Sequence, residues 1–271
     1  MISLLIASSF ILSACASSGP SILAASGRSN STSGQLTVFA AASLTEAFTA
    51  IGKKFETANP GTNVTFNFAG SQQLAQQIIQ GAPADVFASA NQLQMQAVVQ
   101  HGLADQTNVQ TFTNNRLVVI FPQNNPAHIH KLIDLTRPGL KLVLAAKEVP
   151  VGGYSLQFLD KASQDPALGT GYESAVLKNV VSFEENVRAV LSKVILGEAD
   201  AGIVYSSDIS LGNSNKVGEL DIPDSLNVIA SYYITPVQSI RQKELANAFM
   251  AFVISAEGQN TLRQYGFIPT R

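Results

Sequence analysis

The chain has 271 residues, 46% hydrophobic and 13% charged, with no tryptophan and a single cysteine. A formal charge of −2 implies no basic face for nucleic acid, and the apolar content excludes intrinsic disorder. Cys15 alone forms neither an internal disulfide nor a cysteine zinc cluster, and the length suits one large or two modest domains.

Leu4 to Leu12 is an apolar run interrupted by two serines, shorter than the roughly 20 residues of a spanning helix, and reads as a signal-peptide core. Leu12-Ser13-Ala14-Cys15 follows at once and resembles the lipobox of bacterial lipoproteins. That resemblance implies cleavage before Cys15 and lipid on its sulfur and freed amine, enough acyl chains for a stable anchor. The competing reading is an ordinary signal peptide cut after a small residue, with Cys15 free or removed. Residues 1–14 are therefore expected to be the signal peptide. Residues 15–34, rich in Ser, Ala and Gly with Arg28 as the one charge, are expected to be a tether.

Leu36 to Ala40 is strand-like, and Leu44, Phe48, Ile51 and Phe55 then fall on one helical face. Val64, Phe66 and Phe68 alternate as a strand, with a helix after Ser71 through Leu74 and Ile78. Asp85 to Ala88 is a strand before a helix at Leu93 to Val99, and Leu117 to Phe121 and Leu140 to Ala145 read as buried strands. A helix through Tyr154 to Ala162, a strand near Val180, a helix from Val187 to Leu196 and the strand Gly202 to Tyr205 follow. A strand near Val228 to Ile234 and a helix from Lys243 to Ser255 close the series. This alternation predicts an α/β chain with mainly parallel sheets, in which ligands bind beyond the carboxyl ends of the strands and near helix N-termini.

The junctions after the strands carry neutral donors. Ser43-Leu44-Thr45-Glu46 has capping-box form, which predicts Ser43 as N-cap with Glu46 reaching back to its amide. Ser71, after Gly70, repeats the strand-to-serine-to-helix arrangement. Such hydroxyls accept from their own helix and donate outward, so the pair makes an anion site without a full positive charge. Pro150-Val151-Gly152-Gly153-Tyr154 follows a strand and precedes a helix, and Asn186-Val187 opens one, so each offers unpaired amides. Tyr205 ends a strand, where its hydroxyl can cross a cleft. Taken singly, these are a good helix start, a Gly-rich connection and a packed tyrosine.

Asp85 reads as structural, because an acid would repel a bound anion. Arg188 reads as a solvated or lobe-to-lobe charge, His128 and His130 as surface, and Gly169-Thr170-Gly171 as a turn.

Thr37 to Phe48, Phe68 to Ile78, Gly81 to Ala90, Val149 to Tyr154 and Gly202 to Asp208 together resemble the molybdate-binding proteins of ABC importers, in order along the whole body from Gln35 to Arg271. The resemblance implies a type II periplasmic-binding fold: two α/β lobes, residues 35–117 plus 233–271 and residues 118–232, with the ligand cleft between them. It implies that molybdate or tungstate is held by the Ser43 and Ser71 hydroxyls, the Val151 and Val187 amides and the Tyr205 hydroxyl. It further implies a monomeric, extracytoplasmic, lipid-anchored binding protein that serves a membrane permease. No enzymatic activity, cofactor, bare metal cation or nucleic acid is expected.

Alternatives within the fold are sulfate or another small anion. An enzyme would need one of His101, His128 and His130 beside Ser43 or Ser71, since no G-x-S-x-G, phosphate-loop or H-E-x-x-H motif is present.

Overall fold

The computed structural model describes residues 34–209, 213–238 and 242–270. The segment expected to be a signal peptide, Cys15 and the expected tether up to Ser33 lie outside them. Gly34, counted above with the tether, opens the first strand, where its amide bonds the Gly61 carbonyl at 3.1 Å.

In chain order the regular elements are β1 (Gly34–Ala41), α1 (Thr45–Ala58), β2 (Thr62–Ala69), α2 (Ser71–Ile79), β3 (Val86–Ser89), α3 (Gln92–Gln100), β4 (Gln110–Asn115), β5 (Leu117–Pro122), β6 (Leu142–Ala145), α4 (Pro150–Ser163), α5 (Tyr172–Lys178), β7 (Val180–Glu184), α6 (Val187–Ile195), β8 (Ala201–Tyr205), β9 (Val217–Asp221), β10 (Ala230–Pro236), α7 (Lys243–Ile254), α8 (Ala256–Gln264) and β11 (Ile268–Pro269). Every element expected from the sequence is present. Helix α4 starts four residues earlier than its apolar pattern, because Pro150 has a helical φ and no amide to leave unbonded at the first position. The unexpected elements are β4, α5, β9, α8 and β11. Segments such as Gln110–Asn115, with Phe112 as its one large apolar residue, and Ala256–Gln264, with Leu262, carry too few apolar positions to set a period.

The strands form a six-stranded sheet in the order β11-β4-β10-β3-β1-β2 and a five-stranded sheet in the order β7-β6-β8-β5-β9. Both are mixed, which corrects the expectation of mainly parallel sheets. β1 runs parallel to β2 and β3, and β6 parallel to β7 and β8; the ladders made by β4, β5, β9, β10 and β11 are antiparallel. The chain leaves the first sheet between β4 and β5 and returns between β9 and β10. Strands that enter from these crossings pair directly, without the helical crossover a parallel neighbour needs.

The first sheet is covered on both faces. Phe48 and Phe55 of α1 meet Phe249 of α7 edge-on, with ring centroids 6.1 and 5.4 Å apart. On the other face Leu74 and Ile78 of α2 and Met95 and Val98 of α3 pack on Phe39 and Phe87 in a separate cluster. On the second sheet α6 lies so close that a Cβ on Gly202 would stand 2.8 Å from the Val190 side chain. The two crossings are tied together by Asn227, whose amide accepts from the Leu117 N–H at 3.0 Å and donates to the Leu117 carbonyl at 2.9 Å.

Candidate functional site

The carboxyl ends of the six strands in parallel ladders converge on one small cavity. β1 delivers Ala41 to Ser43, β2 delivers Gly70 and Ser71, and β3 delivers Ala90. From the second sheet β6 leads to Val149–Val151, β7 to Asn186 and Val187, and β8 ends at Tyr205. Ser43, Ser71, Val151, Val187 and Tyr205, up to 162 residues apart in the chain, therefore line one space.

Neither serine caps its own helix, which corrects the reading of Ser43 as an N-cap. Ser43 sits in a 3-10 turn, Ala42–Leu44, that precedes α1, and its Oγ is 2.8 Å from the Tyr232 Oη. Glu46, instead of closing a capping box, pairs with Arg188. Ser71 is the first residue of α2, after Gly70 at the cap position. Its Oγ accepts the Ala90 N–H at 3.0 Å, which docks the helix on β3 and leaves the hydroxyl proton to be given elsewhere. Both side chains are almost fully buried.

The second sheet supplies helix starts. In α4 Pro150 has no N–H, and the Gly153 N–H returns to Val149 O at 3.0 Å, so Val151 and Gly152 carry first-turn amides without a carbonyl inside the helix. Gly152 permits this approach, since a Cβ there would lie 2.0 Å from the Ala146 carbonyl oxygen. In α6 the Asn186 side chain caps by accepting the Ala189 N–H at 3.0 Å, which leaves the Val187 amide at the positive end of the helix dipole.

Tyr205 is 1% exposed, and its hydroxyl is buried with no hydrogen-bond partner. The Tyr232 ring lies 5.9 Å away, yet the Tyr232 hydroxyl is engaged with Ser43. Burial first, then the neighbouring Tyr232, Tyr154 and Asp208, push the Tyr205 phenol well above its ordinary range, so it stays a protonated donor. Behind it, Asp208 Oδ2 accepts the Tyr205 N–H at 3.0 Å.

The arrangement is a set of hydrogen-bond donors, two hydroxyls and two amides plus a phenol, around a space lined otherwise by alanine, valine and proline with Gly70 and Asn186. No charged side chain lines it. Arg188 turns its guanidinium to Glu46 and Asp208, and Asp85 is structural, accepting the N–H of Thr37 in β1 at 2.8 Å. Such a site suits a small anion that is bound by dipoles and carries no proton of its own to donate. His101 Nδ1 bonds Ala97 O at 2.8 Å, and the rings of His128 and His130 lie 6.5 Å apart in an exposed loop, so neither serine has histidine as its partner. Among the described residues no cluster of His, Cys, Asp or Glu is disposed to hold a metal cation.

Tyr232 and Asp208 are the residues that sequence reasoning missed. Strand alternation with Ala230 and Ile234 turns Tyr232 inward. Its pairing with Ser43, 189 positions away, leaves no local trace.

With this geometry in place, residues 36–268 match the family model described as bacterial extracellular solute-binding protein. The chain is 42% identical over 260 residues to the molybdate-binding protein ModA of Mycobacterium tuberculosis, covering 94% of this chain and 92% of that one. Its fold is similar to the periplasmic molybdate-binding protein of Azotobacter vinelandii, with a TM-score of 0.75, 19% identity and coverage of 87% and 100%. The sulfate-binding protein SubI of Mycobacterium tuberculosis is similar in fold as well, with a TM-score of 0.76, 17% identity and 87% of each chain covered.

Proposed function

The chain belongs to the bacterial extracellular solute-binding protein family, and from that premise we propose that it holds molybdate or tungstate in the cavity between its two sheets and passes it to an ABC permease. The observation that carries this reading is the unpartnered, fully buried Tyr205 hydroxyl facing a cavity of neutral donors. A buried hydroxyl left unpaired costs about 1–3 kcal/mol, a cost that a bound oxyanion removes. In this reading Ser43, Ser71 and Tyr205 donate through oxygen, and Val151 and Val187 through nitrogen. The protein works outside the cytoplasm as a binding component and not as an enzyme. No helix of the described residues is long and apolar enough to cross a membrane. Attachment through lipid on Cys15, a monomeric state, and movement of residues 35–117 plus 233–271 against 118–232 belong to the same proposal.

Size separates oxyanions of equal charge, because a smaller ion leaves donors unpaired. The test is thermal unfolding of the body with molybdate, tungstate, sulfate, phosphate or chromate. Ligand at a hundredfold excess over Kd should raise the melting temperature by about 5–10 °C. A shift with molybdate and tungstate is expected. A shift with sulfate alone would move the assignment to sulfate, and no shift with any ion would overturn it.

A further inference from the structure

Arg188 does not line the cavity, yet it touches both sides of it. On the second-sheet side its Nη1 stands 3.8 Å from Asp208 Oδ1, and both atoms are buried without a hydrogen bond. Among the described residues Arg188 is the one cation paired with Asp208, a pairing costly to break because the Asp208 carboxylate would remain buried alone. The pair is built into the site's own framework. Arg188 follows Val187 at the start of α6, and the other oxygen of Asp208 accepts the Tyr205 N–H at 3.0 Å. On the first-sheet side the guanidinium pairs with Glu46, three residues beyond Ser43 in the first turn of α1.

We propose that Arg188 is a closure latch: a positioning residue that stays on Asp208 in every state and takes Glu46 only when the two sides of the cleft are together. The proposal rests on the oxyanion-binding reading. Glu46 is 36% exposed on its side chain and loses little when it returns to water, so its ion pair favours the closed state selectively. The latch therefore acts on the lifetime of the bound state and leaves the choice of ion to the cavity donors. Because the pair is only partly buried, salt weakens it.

The experiment is stopped-flow release of molybdate from the full folded body, followed by tyrosine fluorescence, for wild type, Glu46→Gln and Glu46→Asp at low and high salt. Glu46→Gln should release molybdate about three- to tenfold faster at low salt, with the molybdate-to-sulfate preference unchanged. Wild-type release should accelerate with salt toward the Glu46→Gln value, while Glu46→Gln responds far less. Glu46→Asp should fall between. Wild-type binding with equal release rates in all three proteins overturns the latch alone. A wild type that binds none of the oxyanions overturns the oxyanion reading and the latch together.

Discussion

The Tyr205 phenol combines two facts that rarely coexist: it is fully buried and it makes no hydrogen bond. A hydroxyl kept for folding would have a partner; one kept for a ligand need not. Tyr205→Phe should therefore weaken oxyanion binding by about 10- to 100-fold in calorimetry, while the melting temperature of the ligand-free protein holds or rises. Ser71→Ala differs, because Ser71 Oγ also accepts the Ala90 amide. It should lose affinity and about 1 kcal/mol of ligand-free stability together. Unchanged affinity in Tyr205→Phe would remove that hydroxyl from the site. The residue type at each of these positions is readable in the sequence. Whether a hydroxyl is spent on a neighbour or left over depends on Tyr232 and Ala90, which only the fold brings near.

At the scale of elements, the site consists of helix beginnings set against strand ends, and Gly152 shows how closely they must meet. A Cβ there would fall 2.0 Å from Ala146 O and 2.5 Å from Ala145 O, so Gly152→Ala forces α4 away from β6. Loss of about 1–3 kcal/mol in urea unfolding is expected, with a larger fall in affinity because the Val151 amide moves with the helix. The neighbouring Gly153→Ala would meet only Lys147 O, at 3.3 Å, and serves as the near-neutral control. Equal behaviour of the two variants would show that α4 tolerates displacement. Sequence reading located the α6 start, because Asn186 is a local signal, and placed the α4 start four residues late, because Gly152 and Gly153 carry no side chain to extend the apolar period. It misassigned the start of α1, because a capping box requires Glu46 to be free, and Arg188 of the opposite side holds it.

At the scale of the molecule, charge is nearly absent from the cavity and concentrated behind it. Burial raises the Asp208 carboxyl from 3.8 to about 6, against the opposing pull of Arg188 and the Tyr205 N–H. The folded protein then holds this proton more tightly than the unfolded chain does. The group's contribution to stability is thus present below about pH 4 and lost as the pH rises through about 6. Asp208→Asn removes the titration, so the wild-type loss of stability between pH 4 and 7.5 should shrink by on the order of 2–3 kcal/mol in urea unfolding. Parallel pH curves for the two proteins would refute this placement of the charge.

What the sequence determined by itself is what short stretches of chain decide: apolar periods, the helix start at Asn186, and the neutral donors after strands. These follow from backbone geometry and local hydrogen bonding, which need no distant partner. The tertiary structure decided what depends on contacts across long separations. It set the mixed direction of the ladders through the two crossings, the withdrawal of Ser43 from its own helix by Tyr232, and the diversion of Glu46 to Arg188. It also left the Tyr205 hydroxyl unpaired. The low net charge read at the outset belongs to both: composition fixes its amount, and only the fold puts dipoles at the cavity and ions behind it.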